Sequence, residues 1–272
     1  MGTRVGMWGI MNIKKKYIGE EFMSQKEEKI SSIENSVLKY ESKEYFRNPI
    51  VGFSSADNPL YEELKDIIGP DHLHPKDILP TARTVVSFFI PFSQIVVDSN
   101  IESSTVSYEW AKSYVEANKL INQISGELVD YLRNKNIDAA TIKATHNFDE
   151  KTLKSAWSHR SAAFIANMGK FGLNRMIITK AGCAGRFGTV IISAHIPIEN
   201  EENAEYCLYY KNESCQKCVE SCPQNALSPD KEFDRFKCND LLLKNADEYS
   251  HLGLCDVCGK CVVSCPFAVI KS

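Results

Sequence analysis

Apolar residues recur along the N-terminal part of the chain with two distinct periods. From 25 to 47 a charged stretch carries Ile30, Ile33, Val37 and Leu38 at three- and four-residue spacing, which predicts an amphipathic helix. PLYEELKDII (59–68) predicts a second, short helix, with Pro59 in its first turn and Gly69-Pro70 as its stop. The pattern then changes. Thr84 to Ile90 is a β-branched and aromatic run bounded by prolines, and predicts a buried strand. Residues 105–136 return to helical spacing and make the longest predicted helix. Thr141–Thr145 predicts a short strand, Ser158–Met168 a helix rich in small residues, Met176–Thr179 a strand and Gly188–Ile196 a second strong strand. This order implies an α/β region of three or more layers.

At Glu199–Glu205 the composition turns acidic and polar (ENEENAE), and a domain boundary is expected there. The division is then a disordered extension over 1–24, an α/β domain over 25–204 and a small module over 205–272 that is too short to bury a core of its own and needs metal to hold it. A chain of 272 residues, 43% hydrophobic and 25% charged, is ordinary for a soluble protein. Its formal net charge of -3 gives no polyanion-binding signature, so nucleic acid is not an expected partner. No apolar run approaches the roughly 18–20 residues that span a bilayer. At the N-terminus the lysines follow the short apolar stretch instead of preceding it, unlike a secretory signal. Gly6 stands where a myristoylation motif wants Ser or Thr. Folded structure is expected to begin after Met23, and the protein is expected in the cytoplasm, with no membrane partner.

The ten cysteines change the picture, because only Cys183 precedes residue 207. With no secretory signal and a long cysteine-poor region before them, they read as reduced thiolates holding metal, not as a disulfide framework. CDVCGKCVVSCP (255–266) is a complete C-x2-C-x2-C-x3-C-P run, the bacterial ferredoxin pattern, and CQKCVESCP (215–223) is a shorter copy. Three thiolates at two-residue gaps wrap one corner of a cubane, and the fourth points away to the other cluster. Two runs therefore make two [4Fe–4S] clusters by exchanging their last cysteines. One takes Cys215, Cys218 and Cys265; the other takes Cys222, Cys258 and Cys261. Zinc ribbons also use paired C-x2-C but need neither the further cysteines nor the prolines. The first run lacks its leading cysteine, since position 212 is Asn212, and Cys207 just upstream is favoured to complete that cluster. For the second, Cys255 and Cys238 both stand available, and spacing alone favours Cys255. A three-iron cluster at the incomplete site is the alternative. Such a module is a short electron wire.

The order of motifs resembles the epoxyqueuosine reductase family. ILPTARTVVSFFIPF looks like its "LLPGAKSVIV…PY" strand, and SHRSAAFIANMGKFGLNRMIIT resembles its "ER-A-AGLG-GKN-LLI" segment, followed by a turn bearing Gly185 and Gly188, a strand and the cysteine module. The resemblance covers most of residues 75–272. It implies a nitroreductase-like α/β domain that binds a cobalamin, fed by two [4Fe–4S] clusters, as in the related reductive dehalogenases. It also implies that Cys238, lying where the family has an isolated ligand between the two runs, serves in preference to Cys255. Two departures set this chain apart. The family's "VD-x-x-P-V-L-ER" segment carries an aspartate taken as the proton donor; counting back from Arg160, that position is Leu153 and the matching proline is Ala156. Asp149 and Glu150 are near but out of register. The chain also ends at Ser272 without the family's helical-repeat domain for tRNA, so an acceptor other than queuosine is expected.

Other polar residues have plainer readings. His159 and Arg160 are candidates to face a cofactor or substrate, though a helix-capping or surface role is the commoner one. His195 is expected to be buried and hydrogen-bonded in its strand. His72 and His74 are expected in a solvated loop, and Cys183 as a buried free thiol. The glycines of GKFG and GRFG do not form a dinucleotide fingerprint. The expected function is an oxidoreductase that passes single electrons through its clusters to a corrinoid or to an unknown small-molecule acceptor on the α/β domain, with a ferredoxin or flavodoxin as donor. The alternative is a non-catalytic electron-transfer partner, and a cluster-based sensor lacks any DNA-binding element.

Overall fold

The computed structural model describes residues 26–145, 148–198 and 204–271. The expected N-terminal extension and most of the acidic stretch at 199–205 lie outside these residues. Helix α1 (26–39) buries Lys29, Ile33 and Val37, one face at four-residue intervals. It stops well short of the predicted end at 47. A 3-10 turn (Lys43–Tyr45) and strand β1 (Ile50–Ser55) follow, and Tyr40 Oη donates to Glu116 Oε2 at 2.8 Å. Next come α2 (Leu60–Ile67), α3 (Pro75–Ile78), β2 (Thr84–Pro91), α4 (Gln94–Glu102), α5 (Tyr108–Asn134) and β3 (Ala139–Thr141). The short hairpin β4 (Phe148–Asp149) and β5 (Lys154–Ser155) precedes α6 (His159–Ile165), β6 (Gly169–Phe171), β7 (Ile177–Thr179) and β8 (Gly185–Ile192). The cysteine-bearing part holds α7 (Leu208–Asn212), α8 (Lys217–Glu220), α9 (Arg235–Glu248) and α10 (Lys260–Val263). No helix among the described residues is long and apolar enough to cross a membrane.

The main sheet runs β1-β2-β8-β3 with every neighbour antiparallel. All of β2 is buried, because the sheet is covered on both faces. Val86, Phe88 and Ile90 point into a core shared with Leu120, Ile121 and Ile124 of α5. The alternate residue Val85 packs with Trp157, Ala162 and Ile165, and Phe89 stacks on Phe187 at 4.4 Å beside Ala163 of α6. The result is three layers, helix–sheet–helix. Gly188, opposite Phe88 in the register, lets α5 press close: a Cβ there would overlap both the Phe88 ring and Ile121. Gly185 and Gly188 therefore lie inside β8, not in a turn before it. That strand also ends at Ile192, so His195 is exposed beyond it and not buried within it.

The cysteine-bearing part is stitched into this framework. Cys255, Val257, Val262, Val263 and Ala268 belong to the same core cluster as β2 and α5. Cys183 and Ala184 donate backbone hydrogen bonds to the carbonyls of Phe267 and Ala268, and Arg47 donates to those of Ala181 and Ile270. The buried Asn100 donates to the Cys258 carbonyl at 3.0 Å, and Tyr249 Oη to that of Val106 at 2.8 Å.

Candidate cysteine centres and cleft

Eight cysteines gather into two groups of four. Cys207 at the N-cap of α7, Cys215, Cys218 in α8 and Cys265 line one small pocket, together with Leu173, Ile178 and Phe267. Cys222, Cys238 in α9, Cys258 and Cys261 in α10 line the wall of a second, far larger cavity. The last cysteine of each run thus sits with the leading cysteines of the other. Burial first, then mutual repulsion, sets their chemistry: the Cys218 thiol is pushed up to about 11 by burial and by Cys265, Cys207 and Cys215. Cys238 is likewise pushed up to about 11 by burial and by Cys258 and Cys222. Bare thiolates packed this way are costly, and cationic iron is the kind of group that offsets them.

Cys255 belongs to neither group. It is fully buried, its Sγ lies 3.6 Å from the Ala111 carbonyl, and burial pushes its thiol up to about 11. Cys183 is buried too, beside Cys265, with Asn174 Nδ2 at 3.7 Å from its sulfur. Asn212, at the gap in the first run, is exposed and accepts from Ser214 Oγ at 2.7 Å. Among the described residues, no three His, Cys, Asp or Glu side chains converge on a point as a single metal ion requires.

The larger cavity holds about 420 Å³, within the range of small-molecule and cofactor sites (about 300–1,000 Å³). It lies between β8, α5 and α6 on one side and the cysteine-bearing helices on the other. Helix α5 contributes Trp110 and Tyr114 one turn apart, and α9 contributes Arg235, Cys238, Asn239 and Leu242, a single helical face. Tyr114 Oη donates to Asp256 Oδ1 at 2.8 Å, and the Arg186 guanidinium lies 4.4 Å over the Tyr114 ring. Burial raises the Tyr114 pKa above its ordinary value. Leu153, the position that the sequence register sets against the expected aspartate, lies at φ 52° in the β4–β5 turn and lines the cavity. Asp149 does not replace it: its carboxylate accepts from Lys151 N, Thr152 N and Thr152 Oγ1, so it caps the turn in solvent.

The histidines are placed by hydrogen bonding. His159 Nε2 lies 2.9 Å from the Lys143 carbonyl, which can only accept, so Nε2 carries the proton. Nδ1 then accepts from Thr189 Oγ1 at 2.9 Å, and Thr189 accepts from Trp157 Nε1 at 2.9 Å. His159 is therefore a neutral structural group at the cavity wall, its pKa lowered to about 4, chiefly by burial. Its folded pKa lies below the unfolded value of about 6.5, so the unfolded chain takes up the proton first as pH falls, and stability drops through that window. Between pH 7 and pH 5 this one group is expected to cost about 2 kcal/mol, and urea unfolding of His159→Gln is expected to show a pH dependence smaller by that amount. His72 is not solvated: it is buried, stacked on Trp157, with Nε2 accepting from Ser158 N at 3.1 Å. His74 caps α3, its Nδ1 accepting from Lys76 N at 3.2 Å. Arg160 faces the cavity and donates to the Arg175 carbonyl at 2.9 Å. Sequence reading missed Tyr114, Asp256, Arg175, Arg186 and Arg235; only the Arg235–Cys238–Asn239–Leu242 spacing carried a signal for any of them.

The fold is similar to those of epoxyqueuosine reductases and of a reductive dehalogenase. A selenomethionine-labelled epoxyqueuosine reductase superposes with a TM-score of 0.53 at 19% identity, over 88% of this chain and 66% of its own. The epoxyqueuosine reductase of Bacillus subtilis gives 0.53 at 20% identity over the same shares, 88% and 66%. A catabolic reductive dehalogenase gives 0.51 at 16% identity, over 70% of this chain and 26% of the dehalogenase. This chain thus spans just under two thirds of the length of the epoxyqueuosine reductases. No family model and no curated protein matches the sequence.

Proposed function

We propose that the protein is an iron–sulfur oxidoreductase that delivers single electrons to a corrinoid or a substrate held in the cleft, and that its substrate is not epoxyqueuosine. The observation that carries this reading is the position of the second cysteine group, which forms a wall of the cleft itself. In this reading residues 25–204 form a nitroreductase-like domain and residues 205–272 a ferredoxin-type module. Cys207, Cys215, Cys218 and Cys265 hold one [4Fe–4S] cluster; Cys222, Cys238, Cys258 and Cys261 hold the other. Cys255, its thiol against the Ala111 carbonyl, stays protonated and binds nothing.

The donor sets fit the clusters, four thiols to each. The cleft fits a ligand in two further respects: Trp110 Nε1 and Arg175 Nε are buried beside it with no hydrogen-bond partner among the described residues, and a bound molecule would satisfy both. When bound, the clusters supply one-electron transfer and a corrinoid supplies reducing power at its cobalt. The chain's own part is to exclude water with Phe92, Trp110 and Phe187 and to hold a proton at Tyr114 Oη, whose orientation Asp256 fixes. Tyr114 thereby takes over the proton-donor role that Leu153 cannot fill. A ferredoxin or flavodoxin is the donor in this scheme. The alternative, a non-catalytic electron-transfer partner, has no use for such a cleft.

Anaerobic purification followed by titration with cobalamin tests the reading. The expected result is about eight irons per chain, at about four per cluster, and a change in the corrinoid spectrum on addition. Intact clusters with no spectral change would overturn the corrinoid version.

A further inference from the structure

The charge inside the cleft runs against that of the whole chain. Four arginines line it against one carboxylate, Asp256, in a protein of net charge -3. Two of the four are already engaged. Arg160 braces the Arg175 carbonyl and faces Cys238 and Cys261, and Arg186 is held by Asn118 Oδ1 at 3.1 Å and by the Tyr114 ring.

Arg175 and Arg235 are not engaged. Arg175 Nε is buried with no partner among the described residues, and its residue sits in the left-handed region at φ 63° in the turn between β6 and β7. Arginine has no intrinsic reason to adopt that conformation. Strain of this kind, of order 1–3 kcal/mol, persists where the surroundings or a function require it. Arg235 opens the cleft-facing side of α9, and among the described residues its guanidinium has no hydrogen-bond or ion-pair partner. A guanidinium matches the two oxygens of a carboxylate or phosphate, in a way no neutral group does. Part of the remaining lining is aromatic, with Phe148, Trp157, Phe187 and Phe233.

Resting on the reading of the cleft as a substrate site, we propose that Arg175 and Arg235 bind the carboxylate or phosphate group of the substrate, whose apolar remainder lies against the aromatic lining. The test is anaerobic calorimetry on the full-length, cluster-loaded protein without corrinoid. Phenyl phosphate and benzoate serve as anionic probes, and benzyl alcohol as the neutral counterpart. The anions are expected to bind at least about tenfold more tightly than the alcohol, and Arg175→Gln and Arg235→Gln each to lose about tenfold, with Lys replacements retaining part of the affinity. Arg235→Gln, on the surface of a helix, keeps the test valid if the Arg175 variant misfolds, and iron content reports folding for both. Equal binding of anion and alcohol, or variants that bind the anions like the parent, would overturn the proposal. A second arm separates the substrate from the corrinoid's own phosphate by comparing cobalamin with cobinamide, which lacks it. Variants that lose only cobalamin affinity, with probe binding intact, would also overturn the proposal. Failure of the corrinoid reading would show as no cobalamin binding at all, with the probe results standing.

Discussion

Alanine at position 238 is expected to take the anaerobically purified protein below about eight irons per chain, while alanine at position 255 leaves the iron content unchanged. Spacing argues for the opposite outcome, since Cys255 begins the complete run. The two thiols differ in what surrounds them. Cys238 projects from α9 into the same cavity wall as Cys222, Cys258 and Cys261. Cys255 is sealed in the core against α5, with its sulfur 3.6 Å from a carbonyl that only a protonated thiol can satisfy. Iron and sulfide analysis of the two variants decides the assignment. A loss of iron in Cys255→Ala with none in Cys238→Ala would refute it. Cys255→Ala should still cost about 1 kcal/mol of stability, from the lost packing of a buried sulfur.

Trp157→Ala is expected to lower the unfolding free energy by about 3–5 kcal/mol. The ring is 1% exposed and lies between Tyr61 at 5.9 Å and His72 at 5.9 Å. Its Nε1 also donates to Thr189, the residue that fixes the His159 tautomer. Removing it opens a large cavity, frees an acceptor on Thr189 and loosens one wall of the cleft. Denaturant unfolding followed by circular dichroism measures the loss. A change under about 1 kcal/mol would mean that the surrounding rings collapse into the space. Trp157→Phe, which keeps the stacking and drops the donor, is expected to fall between the two.

Sequence pattern recovered the elements whose periodicity is internal. The run Thr84–Ile90 became β2 (Thr84–Pro91), 59–68 became α2 (Leu60–Ile67) and 105–136 became α5 (Tyr108–Asn134). Strand β1 was missed, since Ile50–Ser55 contains Gly52 and two serines and gains its strand character from pairing with β2. Helix α9 was missed because its buried side faces a cleft, so polar Arg235 and Asn239 occupy positions that would be apolar against a core. That the cysteines of the two runs gather was legible because their spacing is local. Which thiol completes each group depends on α7 and α9 folding back, a long-range fact that spacing cannot carry. His72 was misread for a similar reason. A proline-flanked loop looks solvated until Trp157, far along the chain, covers it.

Gly259 stands between two cysteines of the second group, at φ 75°, and the indole of Trp110 fills the space where its Cβ would be. The spacer positions of the run are therefore not interchangeable. Any side chain at position 259 would meet the Trp110 ring and would also be strained at this backbone angle, so a smaller residue at 110 would relieve only part of the cost. The cysteine run and the long helix, separated by well over a hundred residues of sequence, are thus fitted to one another at this one point of contact. A ferredoxin-like segment grafted from elsewhere would not seat on this domain unless it brought a glycine at that place.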